Sequence, residues 1–143
     1  MEERSDGDVV RYGFMRARRP MRVLVVDDVQ DQAMILGILI KRMGHHVRLA
    51  NDAPTALIRG DEEKPEVVFM DIGLPGMDGC GACRLMRQRP WGAGALMIAV
   101  TGRDEPADVE RSLQAGFDHH VVKPMSFQFM RELLAKAEVK PRV

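Results

Sequence analysis

Three features of the 143-residue sequence predict an α/β fold, a parallel sheet covered by helices on both faces. Short, β-branched apolar runs each stop abruptly at polar residues, as buried strands do. Between them lie segments with helix punctuation, a Gly or an Asp at the expected end. Strand and helix alternate five times within a length that suits one domain and one core.

The elements follow in order. A strand over 23–26 precedes Asp27, and a helix over 31–43 closes on Gly44. A weaker strand over 46–50 is followed by a helix over 53–59 that closes on Gly60. The run 67–70 precedes Asp71, and after the turn-rich 74–78 a helix spans 79–88. A strand over 96–100 precedes Thr101, and a helix over 106–115 follows Asp104 and closes on Gly116. The run 120–122 precedes Lys123, and a helix over 126–138 completes the domain. Right-handed crossovers leave few alternative topologies for such an alternation. The run 33–40, AMILGILI, is expected to form a helix buried over a wide face. As the longest apolar run it falls far short of the roughly 18 residues that span a bilayer, so no membrane span is expected.

Residues 1–20 stand outside the pattern, with 21–138 as the domain and 139–143 as a tail. A flexible arm is the expectation for 1–20, and Val9, Val10, Tyr12, Phe14 and Met15 leave room for an extra docked element. The chain balances 21 basic against 21 acidic residues, so no global basic field argues for nucleic acid, and no direct nucleic-acid binding is expected. The start lacks a secretory core and two cysteines are too few for a disulfide scaffold, which reads as cytoplasmic.

In an open parallel sheet, ligands bind beyond the carboxyl ends of the strands. Asp27 and Asp28 follow the first strand, Asp71 the third, Thr101 the fourth and Lys123 the fifth, so these residues converge on one edge. Two carboxylates about 4 Å apart repel by roughly 4 kcal/mol at an effective dielectric of 20, so three together need a cation. Oxygen ligands in an open site select a hard ion, and Mg2+ suits it better than calcium. A carboxylate beside Mg2+ and Lys123 is equipped to attack a phosphoryl group, and Thr101 can donate a hydrogen bond to that group.

The motifs Val26-Asp27-Asp28, Phe69-Met70-Asp71-Ile72-Gly73-Leu74-Pro75-Gly76-Met77-Asp78-Gly79, Ala99-Val100-Thr101-Gly102 and Asp118-His119-His120-Val121-Val122-Lys123-Pro124 closely resemble the receiver domain of bacterial two-component response regulators over about residues 21–138. The resemblance implies a flavodoxin-like, five-stranded, doubly wound sheet of order 2-1-3-4-5. It implies that Asp71 takes a phosphoryl group from a histidine kinase or histidine phosphotransfer protein, with Mg2+ on Asp27, Asp28, Asp71 and the Gly73 carbonyl. Thr101 and Lys123 take the phosphoryl-sensing positions, so that the chain catalyses its own phosphorylation and slow dephosphorylation and acts as a switch for a downstream protein not named by the sequence. Gly73 and Arg103 fall where receivers place the side chains that overhang the approach of hydrolytic water. Receivers often carry Tyr or Phe three residues before this lysine as the switch aromatic, and here His120 stands there.

Two other classes compete. A Mg2+-dependent aspartyl-nucleophile phosphatase also uses a strand-end aspartate, but places an acid two residues later, where this chain has Gly73. A redox or zinc module would use Cys80 and Cys83, whose spacing alone lacks two further ligands. No effector domain is expected within the 20 residues before Met21 or the five after Glu138.

Overall fold

Successive residues of each central strand face opposite helical layers, which is why these strands read as unbroken apolar runs. In the computed structural model, which describes residues 19–74, 76–102 and 106–139, β1 (Arg22–Val26) sends Val23 and Val25 to one core cluster and Leu24 and Val26 to the other. The same division holds in β3 (Val67–Asp71), with Val67 and Phe69 opposite Val68 and Met70, and in β4 (Leu96–Thr101), with Ile98 opposite Met97 and Ala99. The edges are β2 (His46–Ala50), only half-buried, and the four-residue β5 (His119–Val122). All pairings are parallel and the order is β2-β1-β3-β4-β5, the predicted 2-1-3-4-5.

Helices α1 (Gln30–Arg42) and α5 (Phe127–Val139) cover one face, through Ala33, Ile40, Met130, Leu133 and Leu134. The other face is covered by α2 (Ala53–Glu63), α3 (Gly79–Arg87) and α4 (Pro106–Ala115). Asp52 caps α2 by accepting from Thr55 N at 2.8 Å, Asp78 caps α3 through Gly81 N at 2.9 Å, and the Ser126 hydroxyl accepts from Phe129 N at 3.0 Å. Gly44 and Gly116 end their helices at φ 102° and 118°, a conformation that a side chain would oppose. No helix among the described residues is long and apolar enough to cross a membrane.

Two expectations are corrected. Helix α2 runs past Gly60 to Glu63, and its left-handed cap is Lys64 at φ 50°. Gly60 is there for space, since a Cβ would stand 2.4 Å from Trp91 Cζ2. The apolar run in α1 is not buried over a wide face: Ala33, Gly37 and Ile40 are buried, whereas Met34, Ile35 and Ile38 are exposed. Eight consecutive apolar residues go round the helix more than twice, and the sheet covers one side only. Most of the arm, the last residues of the tail and Arg103 lie outside the described residues. At the arm's near end, Arg19 pairs with Glu66 at 2.6 Å.

Candidate functional site

Parallel strands bring their carboxyl ends to one edge, and the site forms where β1 and β3 adjoin beneath the β5–α5 connection. Asp27 and Asp28 leave β1, and Asp71 is the last residue of β3. One carboxylate oxygen from each lies within 4.8 Å of the others, and among the described residues this is the one group of three or more such ligands placed to hold an ion. Asp27 is buried, Asp71 half-buried and Asp28 exposed, so the cluster opens to solvent on one side.

Lys123 follows β5 and reaches back over the cluster. Its Nζ donates to Asp27 Oδ2 at 3.0 Å, to Asp71 Oδ2 at 3.3 Å and to Gln32 Oε1 at 2.8 Å. Partial burial opposes the ammonium charge, but the hydrogen bond it donates to Asp27 and the negative charges of Asp71 and Asp27 outweigh it, so the Lys123 pKa is raised. One ammonium among three carboxylates leaves the site short of positive charge, and the all-oxygen donor set fits a hard divalent ion.

The backbone holds these side chains in place. Asp27 Oδ1 accepts from Val29 N at 2.9 Å, and its carbonyl accepts from Asn51 Nδ2 at 2.9 Å. Gly73 N donates to Asp71 Oδ1 at 2.9 Å, which puts the first turn after β3 against the carboxylate. Thr101 ends β4, is buried, and accepts the Lys123 amide at 2.7 Å through its carbonyl, so the two residues travel together. The structure therefore gathers Asp27, Asp28, Asp71 and Lys123 directly and sets Gly73 and Thr101 beside them. Gln32 and Asn51 were not legible as participants, since one is an ordinary first-turn glutamine and the other a loop asparagine.

His120 lies apart from the acid cluster. It pairs with Ala99 in the sheet, and its Nδ1 is 2.9 Å from Ser112 Oγ in α4. Ser112 is fully buried, and its hydroxyl also lies 2.8 Å from the Val109 carbonyl, so it bridges the helix backbone and the imidazole. The ring is tied to α4, on the flank of the sheet beside Thr101's strand. Cys80 and Cys83 are buried on the inner side of α3, and Cys83 Sγ lies 4.0 Å from Met97 Sδ. Burial pushes the Cys83 thiol up to about 11 and raises Cys80 as well, the opposite of a reactive thiolate.

A doubly wound parallel sheet of order 2-1-3-4-5, with three carboxylates and a lysine at its carboxyl edge, defines a class, the flavodoxin-like receiver fold. The sequence pattern of the response regulator receiver domain matches residues 23–135, and the chain belongs to that family. It is similar to the sensory transduction protein RegX3 of Mycobacterium tuberculosis, 35% identical over 114 residues, covering 80% of this chain and 48% of that protein. It is also similar to the DNA-binding response regulator MtrA of Mycolicibacterium smegmatis, 32% identical over 121 residues, 85% of this chain and 50% of that protein. Among solved structures it resembles the receiver domain of the sensor histidine kinase PA1611 of Pseudomonas aeruginosa, which has a magnesium ion coordinated in its active-site cleft. That match has a TM-score of 0.78 at 24% identity and covers 85% of this chain and 100% of the other.

The chain spans about half the length of these curated relatives. One expectation is corrected by them: zero net charge does not argue against nucleic acid, because MtrA is a DNA-binding response regulator. Net charge sums over this chain alone, and it carries no information about contacts made by other segments of such proteins. The chain is a receiver, a signalling module, and the phosphatase alternative is not favoured.

Proposed function

We propose that Asp71 accepts a phosphoryl group from a histidine kinase or a histidine phosphotransfer protein, and that the change alters a surface read by a downstream protein. The observation that carries this reading is the Lys123 ammonium held against both Asp27 and Asp71, within a cluster of three carboxylates. Asp27, Asp28, Asp71 and the Gly73 carbonyl would hold Mg2+, whose chemistry there is to offset negative charge on the phosphoryl oxygens. Asp71 supplies the attacking carboxylate oxygen, and the donor's imidazole leaves. Lys123 balances one phosphoryl oxygen, and the Thr101 hydroxyl donates to another. Because the Thr101 carbonyl holds the Lys123 amide, a shift of either residue moves the other, and both adjoin the strand that carries His120. His120, joined to Ser112, is the proposed route by which the edge of the sheet moves α4.

The receiver unit is taken as 21–138, with 1–20 as an arm and 139–143 as a tail. A cytoplasmic setting suits two free, buried thiols. The test is incubation with acetyl phosphate and Mg2+ followed by intact mass. The wild-type protein gains one phosphoryl group, and Asp71→Asn gains none. Labelling of Asp71→Asn at the wild-type rate would overturn the assignment.

A further inference from the structure

An ammonium has three protons to give, and Lys123 spends all three among the acids and their neighbour on α1. They go to Gln32 Oε1 at 2.8 Å, to Asp27 Oδ2 at 3.0 Å and to Asp71 Oδ2 at 3.3 Å. Charge alone would order them otherwise. Bonds between an ammonium and a carboxylate settle at about 2.7–2.9 Å, so the contact with Asp71 is stretched while the contact with a neutral amide is short. Because Lys123 can only donate, the Gln32 side chain must present its carbonyl oxygen, and chemistry fixes the orientation of the amide.

The start of α1 explains why Gln32 is available. It stands three residues after the N-cap Val29, where a glutamine can reach back to the N-cap amide. That amide already donates to Asp27 Oδ1 at 2.9 Å. With this partner taken, the Gln32 carbonyl is left for Lys123, 91 residues away in sequence.

We infer that Gln32 is a positioning residue for phosphoryl transfer, holding the Lys123 ammonium off the Asp71 carboxylate. The inference rests on Asp71 being the phosphoacceptor. A carboxylate gripped by an ammonium has its lone pairs committed and is the poorer nucleophile. In the step itself, an Asp71 carboxylate oxygen bonds to phosphorus as the bond from phosphorus to the bridging oxygen of acetyl phosphate breaks, and acetate departs with that electron pair. Lys123 stays over the site on Gln32 and Asp27, and its third proton turns to a phosphoryl oxygen. A neutral acceptor suits this task, because it fixes the ammonium without cancelling the positive charge that the phosphoryl oxygens need.

The test compares Gln32→Met, which keeps the length and loses the acceptor, with Gln32→Glu, which keeps an acceptor at the same reach. Gln32 is exposed, so neither change should disturb the fold, and the urea midpoint checks this. In metal-free, unphosphorylated protein, the Lys123 ammonium protons, followed by NMR and assigned with Lys123→Arg, should exchange with water faster in Gln32→Met than in wild type or Gln32→Glu. With Mg2+ and acetyl phosphate, Gln32→Met should gain its phosphoryl group about tenfold more slowly, the scale of one hydrogen bond to a charged group, and Gln32→Glu should recover part of the rate. In a Lys123→Ala background, Gln32→Met should slow the reaction no further, because Gln32 acts through Lys123. Equal exchange in wild type and Gln32→Met, an unchanged or faster rate in Gln32→Met, or an additive loss in the Lys123→Ala background would overturn the role. Failure of Asp71 as acceptor reads differently: Asp71→Asn is labelled at the wild-type rate while the exchange difference persists, which overturns the role in transfer and leaves the lysine contact standing.

Discussion

The Lys123 ammonium and the Asp71 carboxylate stand 3.3 Å apart, although 52 residues separate them in sequence. The same ammonium is 3.0 Å from Asp27, so one cation serves two of three clustered acids. Asp28, exposed at the rim, takes none of the Lys123 hydrogen bonds, which go to Asp27, Gln32 and Asp71, and it adds a third negative charge to the cluster. The site is thus built to gain a further cation, and its lysine is already placed where a phosphoryl group on Asp71 would need positive charge.

Mg2+ should raise the melting temperature, because an ion that binds only the folded state adds about 2.7 kcal/mol at 100 times its dissociation constant. Asp28→Ala should show a much smaller rise. Its exposed position makes loss of the fold an improper explanation, and the melting temperature without Mg2+ checks that point. Equal rises in the two proteins would take Asp28 out of the metal site.

His45 predicts a pH dependence at the opposite end of the sheet. The ring is buried and its Nδ1 accepts the Met21 amide proton at 3.0 Å, so Nδ1 is unprotonated in the fold. Burial lowers its pKa from 6.5, Glu66 opposes that shift, and Arg19 and His46 add to it. The folded chain therefore binds fewer protons than the unfolded chain once pH reaches the imidazole range. The stability from this group is complete above the unfolded value and is lost as pH falls through that value toward the lowered one. In urea titrations the advantage of wild type over His45→Asn should narrow between pH 7.5 and 5.5, a window chosen about the ordinary histidine value. A constant or widening gap would contradict a buried neutral imidazole.

Gly60 makes a test of packing. A Cβ there would lie 2.4 and 2.7 Å from two ring carbons of Trp91, and the ring is held by its Nε1–H donating to Asp61 Oδ1 at 2.9 Å. Helix propensity alone favours alanine over glycine by about 1 kcal/mol. Overpacking against a pinned indole costs about 1–3 kcal/mol, so the clash wins. Gly60→Ala should lower the urea midpoint at unchanged slope, and adding Trp91→Leu should recover part of the loss. A more stable Gly60→Ala protein would show that the ring moves freely.

The strands and the acids at their ends were legible because each signal is local. Strands covered on both faces are continuous apolar runs, and the switch to Asp27, Asp71, Thr101 or Lys123 marks where each leaves the core. Gly60 misleads because a glycine needed for space looks the same in sequence as one needed for a left-handed turn. The outward face of α1 was misjudged because hydrophobic residues exposed at Met34, Ile35 and Ile38 are indistinguishable from core residues until the neighbouring layer is known. Gln32 and Asn51 act through single hydrogen bonds to residues distant in sequence, and nothing in their own neighbourhoods announces those partners. The tie between His120 and Ser112 is of the same kind.

The lifetime of a phosphorylated Asp71 offers the last prediction. Hydrolysis needs a water held in line with phosphorus, and residue 73 already adjoins the acceptor, since its amide donates to Asp71 Oδ1 at 2.9 Å. Glycine there can neither orient a water nor block one. Among the described residues a Cβ at this position would meet only Asp71 Oδ1, at an ordinary 3.5 Å, and Gly73 is not among the glycines at positive φ, so a side chain there is not strained by its backbone. Asparagine offers both donors and an acceptor beside the phosphorus, whereas alanine adds bulk alone. Gly73→Asn should therefore shorten the phosphorylated lifetime by up to about tenfold, which corresponds to about 1.4 kcal/mol in the barrier. Gly73→Ala should leave the lifetime unchanged or lengthen it. The measurement is decay of the phosphorylated protein after removal of acetyl phosphate, with Mg2+ present. Equal decay in wild type, Gly73→Asn and Gly73→Ala would mean that position 73 does not govern water access, and equal acceleration in both variants would assign the effect to bulk rather than to hydrogen bonding.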